Sequence, residues 1–232
     1  MEGWGPNLLI AAIIIVLGWF TLGLTWNLRK GNALLRWMQA GLTQLGERTT
    51  MRWLGSSALE LVIGQARLPF KQVTLLAVME PRDIPWLWLI SHFQHRRRDM
   101  LIIRAQLQTA PTYEFDLIAP DAWNETKQAG QSEARQWAIE PLDDLNFGAP
   151  ATTRSLSRAI AVDALPVARR VQAHVWRLSA RRNDTQLELH IPLPNLRQTK
   201  AQDFFMAVRQ LGEQLSRHST PPLPISGEGV GG

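Results

Sequence analysis

Five histidines, His92, His95, His174, His190 and His218, are the side chains of this sequence best suited to proton transfer or metal ligation. His92 and His95 are three positions apart and would share one face of a helix. Two imidazoles do not close a metal site, and no Asp or Glu stands near them at a standard ligand spacing. His174 and His190 fall in two late segments with strand alternation, where pairing would bring them close. Asp143 and Asp144 follow Pro141 in a loop-like stretch, where adjacent acids serve a turn or a helix cap more often than catalysis. There is no Cys, which excludes a disulfide scaffold, a thiolate zinc site, an iron–sulfur cluster and a cysteine nucleophile.

No Gly-x-Ser-x-Gly elbow, Walker pattern or phosphate-cradling glycine loop occurs. Gly227, Gly229 and Gly232 have the spacing of a nucleotide fingerprint, but no strand precedes them and no helix follows. No catalytic, cofactor-binding or metal-binding set emerges, and no cofactor is expected.

A different constellation points to a surface. Pro81 to Asp99 carries Trp86 and Trp88 among aliphatic residues, then Arg96, Arg97 and Arg98. Indoles partition to the membrane interface, and guanidiniums meet anionic lipid at about 1 kcal/mol per basic residue near the surface. Trp86, Trp88, Arg96, Arg97 and Arg98, with Trp37, are the candidate membrane-surface contacts. The competing reading buries the alternating Trp and Leu and leaves the arginines as a solvated turn.

Such contact requires a chain already at a membrane, and the amino-terminal segment supplies the means. Leu8 to Trp26 contains no charged residue. As a helix these nineteen residues cover about 28 Å, the thickness of the hydrocarbon layer. Trp4 and Trp26 flank the run, and Pro6 stands where a helix tolerates it. A cleaved signal peptide would need basic residues before the run and a small-x-small exit. Only Glu2 precedes it, and the exit reads Thr25, Trp26, Asn27. Arg29, Lys30 and Arg36 follow the run and set the topology: amino terminus outside, the remainder cytoplasmic, at the plasma membrane. The Asn-x-Thr sequons at Asn124 and Asn183 are then chance matches.

The elements beyond the anchor follow from periodicity. Leu34, Leu35, Met38, Leu42 and Leu45 form an amphipathic stripe that either lies on the leaflet or continues the anchor and docks on the domain. Alternation predicts strands around Leu59 to Ile63, Val73 to Met79, Leu101 to Leu107, Tyr113 to Leu117, His174 to Leu178 and Leu187 to Leu193. A seventh is expected near Gln136 to Glu140. These pair in sequence order, Leu101 to Leu107 with Tyr113 to Leu117 as a hairpin. Two short helices are expected on either side of Pro166, and Asp143 to Thr153 as loop. Thr199 and Gln202 have capping-box spacing, and Phe204, Val208, Leu211 and Leu215 form one helical stripe after them.

The fold class is therefore α+β: a transmembrane helix, then a six- to seven-stranded roll or partly closed barrel capped by a carboxy-terminal helix. The segments are residues 1–7 outside, 8–27 in the membrane, 28–50 as juxtamembrane helix and linker, 51–218 as the domain and 219–232 as a disordered tail.

Charge is segregated along the domain. Thr112 to Phe147 carries a net −6 and Arg154 to Arg182 a net +6, and mutual neutralisation across the fold is expected. The whole chain is +5, with scattered basic residues and no nucleic-acid motif. The expected function is a non-catalytic binding or scaffold domain at the inner leaflet. Its expected partners are membrane lipid and another protein. A membrane-tethered enzyme and a membrane-tethered nucleic-acid binder are the alternatives.

Overall fold

The computed structural model describes residues 4–93, 99–120, 122, 137–182 and 186–218. A 36-residue helix, α1 (Trp4–Gln39), leads into a 3-10 turn at Leu42–Gln44. Strands β1 (Thr49–Trp53), β2 (Ala58–Ile63) and β3 (Phe70–Val78) follow, then a short helix α2 (Pro85–Phe93). Next come β4 (Met100–Leu107), β5 (Phe115–Ile118), β6 (Ile139–Leu142) and β7 (Leu145–Gly148). Helix α3 (Arg154–Val171), β8 (Arg177–Ala180), β9 (Leu187–Pro192) and α4 (Ala201–Arg217) complete the order.

Among the described residues nine strands form one open antiparallel sheet in the order β1-β2-β3-β4-β9-β8-β5-β7-β6. The α+β class and the initial apolar helix match the sequence reading, but the barrel and the strand count do not. Closure would require β1 to pair with β6, and these are the opposite edges. The two strands beyond the expected seven are β1, which has no buried residue and hence no alternation to read, and β7. β7 lies in the stretch expected as loop. It turns back on β6 through Asp143, whose φ of 56° is a conformation that Asp tolerates better than most residues.

Pairing also departs from sequence order. β4 and β5 are not a hairpin, because the β9–β8 pair lies between them, β9 against β4 and β8 against β5. Alternation tells which face a side chain takes but not which strand lies alongside.

One face of the sheet carries the core. Leu59, Leu61, Val73, Leu75, Leu101, Ile103, Leu187 and Leu189 pack under α3, α4 and the last turns of α1. α4 contributes Phe204, Phe205, Val208, Leu211 and Leu215, the expected stripe with one neighbour. The Tyr113 hydroxyl donates to the Leu215 carbonyl at 2.7 Å, which ties the start of β5 to the last turn of α4. The capping box at Thr199 and Gln202 does not form. The chain turns on Asn195, whose carbonyl accepts the Gln198 and Thr199 amides, and the helix starts after Lys200 without a side-chain cap.

α3 runs unbroken through Pro166 where two helices were expected. Its buried stripe of Ile160, Ala161, Ala164, Leu165, Ala168 and Val171 stays in phase across the proline. Pro166 and Val162 both lie on the exposed side, so the bond that the ring removes is lost where water can replace it.

Candidate functional site

α1 is one continuous helix with two different halves. At 1.5 Å per residue its 36 residues cover about 54 Å. Every residue from 5 to 22 is exposed, although the most apolar window in this helix has a mean hydropathy of 2.5. A core helix of a soluble protein would bury that window; here 6% of it is buried. Thr21 and Thr25 donate their hydroxyls to the carbonyls of Leu17 and Thr21 at 2.8 and 2.7 Å, so neither needs water. Among the described residues one helix, near the amino terminus, is thus long and apolar enough to cross a membrane.

From Gly23 onward one stripe turns inward: Gly23, Asn27, Gly31, Leu34 and Met38, at helical spacing. Of the two readings of the Leu34, Leu35 and Met38 stripe, the structure takes the second: it continues α1 and docks on the domain. Gly23 and Gly31 are small for a stated reason. A Cβ at Gly23 would stand 2.5 Å from the Arg82 carbonyl carbon and 2.6 Å from the Asp83 Cα, and one at Gly31 would meet the Trp53 ring.

A polar clasp closes over this contact. The Asn27 amide donates to the Glu80 carbonyl at 3.1 Å, and Arg82 donates to the Asn27 side-chain oxygen at 3.3 Å. Arg82 also reaches both oxygens of Asp99 at 3.2 Å and Glu80 at 2.9 Å. Lys30 pairs with Asp99, and the Glu80 amide donates to it at 2.8 Å. Burial by itself would raise the Asp99 carboxyl. The hydrogen bonds from Arg82, Lys30 and the Glu80 amide outweigh burial and hold it below its ordinary value. Of the topology-setting cations, Lys30 belongs to the clasp, while Arg29 and Arg36 are exposed.

The clasp presents α2 to the exposed half of α1. The Trp19 indole donates to the Arg82 carbonyl at 3.0 Å, and its ring lies 5.5 Å from that of Trp88. Pro85 opens α2, where its missing amide proton costs nothing. Trp86, Leu89 and Ile90 are 62%, 48% and 50% exposed. Asp83 accepts from Ser56 at 2.6 Å, which brings the β1–β2 turn and its exposed Leu54 to the same place.

The predicted surface residues therefore separate. Trp88 meets the apolar helix, and Trp86 is exposed beside it on α2. Trp37 is elsewhere, about 27 Å along the helix axis from Trp19. Its indole donates to the Thr199 carbonyl at 2.7 Å and its ring packs on Phe204 and Phe205. Arg96, Arg97 and Arg98 lie outside the described residues. Sequence reasoning missed Gly23, Asn27 and Asp99. The first two carried a signal: small and polar residues four apart where an apolar run ends.

The second concentration of charge is on the sheet face away from the helices. Arg177 on β8 grips Asp116 on β5 and reaches Glu188 on β9 at 3.0 Å. Arg181 reaches Asp116 at 3.2 Å, Arg104 reaches Glu188 at 2.9 Å, and the His190 Nε2 lies 3.0 Å from Glu188. Trp137 stacks on the Arg181 guanidinium, 4.5 Å from ring centroid to Cζ. Burial would raise Glu188; contacts with His190, Arg177 and Arg104 outweigh it and bring it to about 2. Burial favours the neutral His190 ring, Arg177 and Arg104 add to that, and its pKa is lowered. A carboxylate this acidic is a weak base, and guanidiniums occupy its oxygens and those of Asp116. The ladder suits cross-strand fastening better than proton transfer. Among the described residues no group of three or more His, Cys, Asp or Glu could hold a metal ion.

The sequence-distant charge blocks meet as expected. Arg154 and Arg158 pair with Glu140, Arg169 with Asp143 and Asp144, and Arg177 and Arg181 with Asp116. Comparison of the chain with protein-family models and with curated proteins gives no match.

Proposed function

We propose that this chain is a single-pass membrane protein, amino terminus outside, whose cytoplasmic domain is a non-catalytic binding or scaffold module at the inner leaflet of the plasma membrane. The observation that carries the reading is the seating of α2 on Trp19. If Leu8 to Trp26 crosses the membrane, Trp19 lies about 10 Å inside the end of the span. Trp88 is then at acyl-chain depth, with Trp86, Leu89 and Ile90 exposed on the same short helix. Exposed apolar side chains there meet lipid instead of water. Arg29, Lys30 and Arg36 support the inward orientation. The continuity of α1 with the core supports an anchor over a cleaved leader, because cleavage near Trp26 would part the clasp from the span.

On this reading the domain does not swing on a tether. The clasp at Asn27, Lys30, Arg82 and Asp99 fixes its angle to the membrane, and Trp86 and Trp88 add a second point of contact. The open sheet would then face the cytoplasm at a set height for a protein partner.

Labelling of single cysteines tests this, since the chain has none of its own. A membrane-impermeant maleimide should modify Gln202→Cys in inverted vesicles and not in right-side-out ones. Leu89→Cys should stay unmodified in both until detergent is added. Labelling of Gln202→Cys from the outside overturns the topology, and labelling of Leu89→Cys in intact inverted vesicles overturns the α2 contact.

A further inference from the structure

β1 is one of the two edges of the sheet, and its hydrogen bonds show which of its residues face outward. The Leu54 amide donates to the Ala58 carbonyl at 2.9 Å, and the Gly64 amide donates to the Arg48 carbonyl at 3.1 Å. Bonded pairs alternate along antiparallel strands, so Arg48, Thr50, Arg52 and Leu54 turn their backbone groups to β2. Thr49, Met51 and Trp53 therefore turn three N–H and three C=O groups away from the sheet. We infer that this edge is a docking site for an extended segment of a partner protein, alternating apolar and acidic residues, which joins the sheet antiparallel to β1. The inference rests on the cytoplasmic placement proposed above and names the surface that the binding module uses.

The two edges of the sheet are not equivalent. β6, the other edge, contains Pro141, and its Glu140 is tied to Arg154 and Arg158 on α3. Proline guards an edge strand against further pairing. β1 has no proline, lysine or bulge, and its register with β2 is regular over five residues. Its one charge, Arg52, lies back against Glu60 on β2.

The side chains of β1 say what the incoming strand carries. Trp53 lies on Gly31 of α1, so Thr49, Met51 and Trp53 face the helix side of the sheet and Arg48, Thr50 and Arg52 the other. Met51 is 46% exposed, and an apolar side chain opposite it covers it. Arg48 is exposed, and the Arg52 side chain is 68% exposed in spite of Glu60. An acid opposite Thr50 lies between the two arginines.

A second copy does not fit this edge. α1 passes Glu80 at Asn27 and Trp53 at Gly31, and the chain then meets Ala66 at Gly46, so α1 runs along the strands across the sheet face. Pairing two β1 edges antiparallel about a two-fold axis reverses α1 in the second copy. The two spans would then leave in opposite directions.

Fluorescence anisotropy tests the inference on the full chain in mild detergent, with a labelled peptide of sequence Thr-Val-Glu-Val-Glu-Val-Glu-Val-Thr as the probe. The expected result is saturable binding of one peptide per chain. The same peptide with Lys in place of Glu should bind at least tenfold more weakly. N-methylation of its valines, which lie opposite the outward-facing residues, should abolish binding. Met51→Pro removes one outward N–H and leaves the bonds to β2 in place, because proline is tolerated on the free side of an edge strand. It should lower affinity at least tenfold with the unfolding midpoint unchanged. Arg48→Gln combined with Arg52→Gln, which alters no backbone bond, should remove the preference for Glu over Lys. Equal binding to the Met51→Pro protein overturns the site, as does the absence of saturable binding up to about 1 mM peptide. Efficient disulfide dimerisation of Met51→Cys in the membrane would show a second copy at the edge and overturn it too. The Gln202→Cys labelling separates the two ideas. Labelling only in inverted vesicles, without peptide binding, removes the edge site alone, and labelling from the outside removes the cytoplasmic reading beneath it.

Discussion

Arg177 and Asp116 form a two-pronged ion pair between adjacent strands, Nε to Oδ1 at 2.9 Å and Nη2 to Oδ2 at 3.0 Å. Both side chains are 3% exposed. Paired groups so deep contribute little beyond apolar residues of the same shape, but removing Asp116 leaves Arg177 buried with Glu188 as its carboxylate and takes away the group that Arg181 also reaches. Asp116→Ala should therefore destabilise the domain by about 3–5 kcal/mol. Asp116→Leu combined with Arg177→Met should cost far less than that. Urea unfolding of the full chain in mild detergent, followed by Trp fluorescence, checks both. A single substitution within about 0.5 kcal/mol of the parent would show that the pair is not buried as described.

The same ladder makes the domain acid-labile in two steps. The folded His190 pKa is lowered, so the unfolded chain takes up a proton first, and stability falls as pH drops below the ordinary histidine value near 6.5. Glu188 is lowered from 4.5 to about 2, so its contribution is complete above about 4.5 and disappears between these values. Melting temperature against pH should show both declines. His190→Gln should flatten the upper one and also weaken the lower, because His190 is one of the contacts that hold Glu188 down. A profile of His190→Gln that matches the parent between pH 5 and 7 refutes the assignment.

The ladder also shows what could be read from sequence. The opposite charges of Thr112 to Phe147 and Arg154 to Arg182 announced that the two stretches would meet. Which acid meets which arginine depends on β8 lying beside β5, and alternation in Phe115, Asp116 and Leu117 carries no record of that neighbour. Period two puts Asp116 on the face opposite Phe115 and Leu117 without saying whether that face is covered. β1 was invisible for the converse reason, since a strand that buries nothing has no pattern. The amino-terminal helix was legible because its signal is local, and its inner half because Leu34, Leu35 and Met38 repeat at helical spacing. Its joint with α2 was not, because Asp99 lies 69 residues from its partner Lys30.

Asp99 holds that joint, and its loss should be felt on α2. Asp99→Asn keeps the shape and removes the charge that Arg82 and Lys30 share. Maleimide labelling of Leu89→Cys in inverted vesicles should rise at least tenfold in this background. A large rise in labelling with little change in the domain's unfolding midpoint would locate the effect at the joint. Unchanged labelling would mean that α2 is held by Trp19 alone.

Trp37 reports on the other end of α1. Trp37→Phe keeps a ring against Phe204 and Phe205 but removes the donor to the Thr199 carbonyl. A lost hydrogen bond of this kind costs about 1 kcal/mol, and the substitution should leave labelling of Leu89→Cys unchanged. A shift of α2 on this change would mean that the two ends of the docked stripe move together.

Gly23 and Gly18 offer the sharpest contrast, because both lie in the apolar helix and only one is in contact. A side chain at Gly23 runs into the backbone of Arg82 and Asp83, while nothing lies within 4 Å of Gly18. Leucine at either position makes the span more apolar, so insertion into the membrane is preserved. Gly18→Leu should then be silent. Gly23→Leu must push the Arg82 loop away, at about 1–3 kcal/mol for an overpacked contact, and take α2 with it. The Trp19 bond to the Arg82 carbonyl and the tilted ring contact of Trp19 with Trp88 would both be lost. Labelling of Leu89→Cys should rise in the Gly23→Leu protein and stay low in the Gly18→Leu protein. Equal labelling in the two would refute the close crossing of the Arg82 loop over α1, on which the placement of α2 depends.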